Sequence, residues 1–339
     1  MATKTPTKQK RQPKGKTTGG QFADDVNPEA QVDLNATIET EPTESAPTGD
    51  VSQQVTDAII AAMEKGVVPW KSHINGGVFT LPKNMSSEKT YSGANVWMLM
   101  AQREIMGYES EWWGTYKQIA ALGGQVRKDE KSTIVTFWKT MDSDEIDPAT
   151  GQKKRPWGFR KAFRVFNADQ CDNLPEAFLK KPERERTEHE RQADAEAALV
   201  AYIDNDGPAV VYGGHQPHYT PSLDKVTVPD INEFDDRGFY YGALFHELAH
   251  STGHSSRLAR EGVAEHNGFG SETYSKEELV AELSAAMCMS HFGLAETNTT
   301  ENSAAYVASW IAVLKGDKNL IFSASSAAQK AVARIGVEL

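Results

Sequence analysis

The stretch LFHELAHSTGH, residues 244–254, constrains this chain more than any other. Apolar residues accompany its histidines, and Ala243, Leu244, Leu248 and Ala249 would bury a helix there. In such a helix His246 and His250 lie one turn apart on one face. Two imidazoles so placed can share one cation at about 2.0–2.1 Å each. Glu247, next to His246, can act as a general base on water near that cation. An amphipathic helix with separately satisfied histidines would give the same letters. Two buried imidazoles need partners, however, and a metal supplies both at once. The spacing therefore predicts a Zn2+ centre with His246 and His250 as ligands. Gly253 suits a helix stop just beyond.

Such a centre needs a third protein ligand. His254 lies about 12 Å along a continuous helix from His246, too far to share the ion. It is expected in a supporting or substrate-facing role. The acidic run SKEELVAEL offers Glu277, Glu278 and Glu282, of which Glu278 and Glu282 lie one turn apart. Glu278 is expected as ligand and Glu282 as the carboxylate orienting one histidine. The alternative is that Ser275 and Glu278 form a capping box, which would leave Glu282 as the ligand.

A second feature lies earlier. Trp112, Trp113, Tyr116 and Trp157 stand beside polar or turn residues, interleaved with Lys117, Arg127, Lys128 and Lys131. Single-stranded DNA wants both kinds of side chain, because bases stack on aromatic faces and cations follow phosphates. No helix loaded with Arg and Lys suggests a duplex reader. Charge is distributed to match. The net charge is −11, but residues 51–180 hold 17 basic and 15 acidic residues, whereas 181–339 hold 13 and 24. Two modules with different partners are expected.

Residues 1–50 lack apolar periodicity and have the composition of a disordered tail. Residues 51–178 read as an α+β module, 179–191 as a charged linker and 192–339 as a second domain. DKVTVPDINEF reads as a loop. No apolar run approaches the roughly 18 residues that span a bilayer. Two distant cysteines, Cys171 and Cys288, make no disulfide framework, so a cytoplasmic setting is expected.

The segments VTDAIIAAMEKGVVPWK, TYKQIAALGGQVRKDEKST, FRVFNADQC, LFHELAHSTGHSSRL, FGSETYSKEELVAELSAAM and AAYVASWIAVLKGDKNLIFSASSAAQKA resemble, in order, the ArdC family of antirestriction proteins. The resemblance spans nearly all of 51–339. It implies an N-terminal single-stranded-DNA-binding domain and a C-terminal zincin-like metallopeptidase domain, in a protein of plasmids or phages that shields incoming DNA from host restriction. His246, Glu247 and His250 match the family's HExxH, and EELVAE matches the helix carrying its third ligand. Ser251 departs from the family, which places Trp there in HWTGH. That change is expected to open the rim of the cleft. Two other readings are a DNA-coating protein whose metal is structural or silent, and a cytosolic metallopeptidase whose aromatic module grips a protein.

Overall fold

The computed structural model describes residues 50–71, 80–141, 157–179, 187–264, 272–294 and 304–338. The tail expected over 1–50 lies outside these residues except for Asp50. That residue is the N-cap of the first helix, its carboxylate accepting from the Ser52 and Gln53 amides at 3.0 and 3.4 Å.

The first half runs α1 (Val51–Glu64), β1 (Lys83–Asn84), α2 (Ala94–Met106), β2 (Trp112–Gly114), α3 (Tyr116–Ala121), β3 (Gln125–Val126), β4 (Thr133–Met141), β5 (Trp157–Asn167) and β6 (Cys171–Asp172). The second runs α4 (Glu188–Asn205), β7 (Ala209–Tyr212), β8 (His218–Thr220), β9 (Lys225–Val228), α5 (Arg237–Thr252), α6 (Glu261–Ala264), α7 (Glu272–Phe292), α8 (Ala304–Gly316) and α9 (Leu320–Ile335). The architecture is α+β. One sheet has the order β1-β2-β5-β4, a two-stranded one pairs β3 with β6, and a third has the order β7-β9-β8.

Local chemistry explains where elements start and stop. β5 ends at Asn167 rather than running to Cys171, because Asn167 caps a 3-10 turn over Ala168–Gln170. The charged linker gives way to helix at Glu188, where Thr187 and Glu190 form a reciprocal capping box. β9 was expected as loop and is instead a central strand. Lys-Val-Thr-Val alternates, and Val226 and Val228 are fully buried beneath α5. The edge strand β4 is held by Asn95 of α2, whose side-chain amide donates to the Thr136 carbonyl at 2.8 Å and accepts from the Thr136 amide at 2.7 Å.

The core does not follow the division expected from composition. Val55, Ile59 and Met63 of α1, Trp97 and Met100 of α2, and Trp70 between them belong to the same cluster as Leu244, Leu248, Leu283, Trp310, Leu320 and Phe322. Hydrogen bonds cross the same boundary. Trp97 Nε1–H donates to Ser325 at 3.0 Å, and the Thr56 hydroxyl donates to the Lys318 carbonyl at 2.8 Å. The first sheet keeps smaller cores of its own, around Trp113, Val135 and Val165, and around Ile119 and Leu174. Both cysteines are free and buried. Among the described residues no helix is long and apolar enough to cross a membrane.

Candidate metal centre and nucleic-acid surface

Asp236 caps α5, and Leu244, Phe245, Leu248 and Ala249 bury the helix on its core side. The opposite stripe turns His246 and His250 toward each other, with their Nε2 atoms 3.1 Å apart. Helix α7 crosses beside them and brings in Glu278. Its carboxylate oxygens lie 3.4 Å from His246 Nε2 and 3.5 Å from His250 Nε2. Among the described residues these three form the group able to hold a metal ion. The donor set fits a divalent cation, since two imidazole nitrogens and a carboxylate that converge on one point can share a positive partner once the rings are unprotonated. Helix α7 begins at Glu272, so Ser275 is inside it and the capping-box reading of Glu278 fails.

His250 is oriented by Glu277, which the sequence offered but to which it gave no role. Its Nδ1 lies 3.1 Å from Glu277 Oε1, a contact that leaves Nε2 for the metal. On α7, Glu277 rather than Glu282 faces that ring. Glu277 is 5% exposed and is gripped by Arg260, whose Nε and Nη2 donate at 2.8 and 2.6 Å. Burial opposes charge on Glu277, but the bonds from Arg260 and His250 outweigh it and lower its pKa. Arg260 also donates to the Ala249 carbonyl and the Thr252 hydroxyl, at 2.8 and 2.7 Å, tying the clamp to the end of α5. Gly253 makes this possible. Its backbone is right-handed, and a Cβ there would come within 2.9 Å of the Arg260 guanidinium, so glycine serves close approach rather than a left-handed stop. Replacing Arg260 by Ala is expected to weaken divalent-metal binding about 10- to 100-fold, because Glu277 loses its fixed direction. A metal titration with a parallel thermal melt checks this; unchanged affinity in folded protein would refute it.

The remaining predicted residues fall out as follows. Glu247 follows His246 on α5, and its negative charge acts on that ring. Burial disfavours the charged form of His246, yet the hydrogen bond its ring N–H donates to Glu278 and the charges of Glu282 and Glu247 raise its pKa to about 8. His254 sits beyond the helix, with Nδ1 2.7 Å from the Ser256 hydroxyl, and is not among the converging donors. Ser251 does not open a rim. It is fully buried, 3.0 Å from the Tyr202 hydroxyl, and donates to the Leu248 carbonyl.

The aromatic residues divide sharply. Trp113 is 0% exposed and packs with Tyr91, Leu99 and Val165, so it offers no face to a base. Its position on β2 turns it inward, which corrects the sequence expectation. Trp112 is half-buried, edge-on to Phe178, with Lys83 Nζ 5.4 Å from its ring centroid. Tyr116 is 52% exposed and is held beside β3 by Gln125, whose amide donates to its hydroxyl at 3.2 Å. Lys117, Lys128 and Lys131 are exposed. Arg127 is exposed but committed to Glu130 at 3.0 Å, to Asp172 at 3.8 Å and to the Asp169 carbonyl, so it braces the turn. Trp157 begins β5 opposite Met141, and its side chain lies outside the described residues.

Comparison with known proteins follows these two regions. A model of the N-terminal domain of anti-restriction factor ArdC matches residues 49–166, and one of a zincin-like metallopeptidase matches residues 197–327. The antirestriction ArdC protein of plasmid R388, in its metal-free structure, is 35% identical, with a TM-score of 0.67 over 85% of this chain and 97% of that one. The chain belongs to the ArdC family of antirestriction proteins. A second structure of the R388 ArdC protein, 34% identical with a TM-score of 0.65, is Mn(II)-bound. That finding corrects the expectation of Zn2+. The HExxH spacing fixes donors but not the ion, because two imidazoles and a carboxylate serve several first-row divalent metals. Protein y4eC of Sinorhizobium fredii is 37% identical over 300 residues, covering 86% of this ArdC-family chain and 92% of y4eC. DNA primase TraC of Escherichia coli is 36% identical over 297 residues, which cover 82% of this chain and 26% of the primase.

Proposed function

We propose that this ArdC-family chain is an antirestriction protein that works in the host cytoplasm, binds single-stranded DNA through the surface of α3, β3 and the turn that follows, and carries a metal-dependent centre for peptide hydrolysis. The convergence of His246, His250 and Glu278 from two helices carries the reading. A divalent ion of the Mn(II) class held there would polarise a peptide carbonyl and acidify water. Glu247 takes the proton from the attacking water as the new C–O bond forms. It returns that proton to the amine nitrogen as the C–N bond breaks. The clamp through Glu277 and Arg260 holds His250 in one orientation, so the donor set is arranged before any ion arrives.

The strand-binding part rests on Tyr116 with Lys117, Lys128 and Lys131. An exposed phenol held beside β3 by Gln125 offers a stacking face, and the lysines offer cations near it. Arg127 supports this surface rather than joining it. Tyr116→Ala in the full-length chain is expected to weaken single-strand binding by about 1–3 kcal/mol, roughly 5- to 150-fold. Replacing Lys128 and Lys131 together should reduce the salt slope by about 1.4, at 0.7 per phosphate contact. Fluorescence anisotropy at several salt concentrations measures both. Equal affinity for duplex, or no response to Tyr116→Ala, would sink this assignment.

A further inference from the structure

Residue alternation gives the β1-β2-β5-β4 sheet two faces. On one, Trp112 and Phe166 pack with Ile119 of α3. On the other, Trp113, Val135 and Val165 pack with Tyr91 and Leu99. Thr133 shares this second face, two residues before Val135 on β4 and opposite Val165 of β5. Tyr108 packs against the same cluster, edge-on to Trp113 with ring centroids 6.0 Å apart. Here three buried polar atoms have no hydrogen-bond partner: the Tyr108 hydroxyl, Trp113 Nε1 and the Thr133 hydroxyl. Trp113 is 0% exposed and Thr133 5%. Buried polar groups are nearly always paired, so three orphans on one face point to a ligand that pairs them. Packing alone does not account for them, since apolar side chains of the same shape would avoid the desolvation cost.

Toward the β4–β5 turn the same face carries Phe137 and Phe163, both half-buried and edge-on to each other at 5.4 Å. Lys161 lies opposite Phe137 across the strands, its Nζ 4.9 Å from the centre of the Phe163 ring. Stacking faces, a cation and unpaired hydrogen-bonding groups are what a nucleotide of a single strand requires. Indole N–H can only donate, whereas both hydroxyls can donate or accept, so the ligand must offer an acceptor, as the edge of a base does. An apolar peptide side chain would leave the orphans unpaired.

We propose that this face is a base-binding platform for single-stranded DNA. A base stacks on Phe163 beside Phe137 and turns its polar edge to the Tyr108 hydroxyl, and its phosphate takes Lys161. This rests on the strand-binding reading given above and adds a second contact, on the face opposite α3 and apart from Tyr116.

The test is fluorescence anisotropy of a labelled oligothymidylate titrated with the full-length protein. The variants are Phe163→Leu, Tyr108→Phe, Lys161→Gln and Tyr116→Ala, with a thermal melt of each. Phe163→Leu stays apolar but loses the stacking face, and should weaken binding roughly 5- to 150-fold. Tyr108→Phe removes only an unpaired hydroxyl, so it should weaken binding roughly 2- to 10-fold without lowering the melting midpoint. In the Phe163→Leu background it should cost nothing further, because the base is no longer seated. Losses from Phe163→Leu and Tyr116→Ala should multiply, since the two sites share no partner. Lys161→Gln should reduce the salt slope by about 0.7. Unchanged binding in Phe163→Leu or in Tyr108→Phe overturns the proposal. Should Phe163→Leu fail to fold, Tyr108→Phe decides alone. Wild-type protein that binds no single strand overturns the strand-binding reading as well. Binding that Tyr116→Ala weakens and Phe163→Leu leaves untouched overturns this inference alone.

Discussion

Glu247→Gln is expected to cut peptide hydrolysis by roughly 10²- to 10⁴-fold, the usual contribution of a positioned general base, while metal content stays the same. Glutamine keeps the shape of the side chain on α5 but cannot take a proton from water. The readout is cleavage of a mixed peptide library by mass spectrometry, alongside metal analysis. If Glu247→Gln loses metal as completely as a histidine variant, its role as base is wrong. The same variant decides what the centre is for. Should Glu247→Gln protect DNA from restriction as well as wild type does, protection needs strand binding alone, and the metal centre serves another step.

His246→Ala and His250→Ala should each abolish stable Mn(II) binding, a loss above the 10- to 100-fold typical of supporting residues. Glu278→Ala should lower metal content more than Glu282→Ala, since Glu278 has carboxylate oxygens within 3.5 Å of both rings. Equal effects would break the ligand assignment. Loading should also depend on pH. Carboxylates around His246 raise its pKa to about 8, so near neutrality the metal-free ring holds a proton that an incoming ion must displace. Apparent affinity should then fall as pH drops below about 8, approaching roughly tenfold per pH unit for one displaced proton, and level off above it. The sign for folding stability of the metal-free protein is opposite. A raised histidine pKa stabilises fully below the ordinary value, and that contribution is lost as pH rises through about 8. Calorimetric titrations in buffers of different ionisation enthalpy count the released proton, and a count of zero at pH 7 would contradict the assignment.

The helix pattern around His246 and His250 was legible because an i, i+4 pair on an apolar helix has few other uses. Glu278 was legible as one of two candidates. What separates it from Glu282 is the crossing of α7 over α5, and no local pattern encodes that. Arg260 left no trace in the sequence, since a loop arginine is ordinary. Only tertiary packing brings it to Glu277. Glu277 had a signal, the doubled carboxylate of KEELVAE, which was read past in favour of its neighbours. Trp112 and Trp113 could not be told apart by composition, and strand alternation sends Trp113 inward. β9 went unread because Val226 and Val228 occupy so short a stretch. The ion itself was beyond sequence, because the donor atoms do not choose among divalent metals.

The joining of α1 to α8 and α9 bears on how this chain is made. Thr56 bonds a carbonyl 262 residues further along, and Val55, Ile59 and Met63 lie in the core those last helices help to build. At about 5–20 residues per second, the apolar face of α1 waits some tens of seconds on the ribosome for part of its cover. The apolar face of α1 therefore gains part of its cover only once α8 and α9 have been made. The exposed face of α1 is a natural surface for a chaperone in that interval. A transcript or nonsense codon that removes α8 and α9 would leave the N-terminal half as an aggregation-prone fragment, not a shorter working protein.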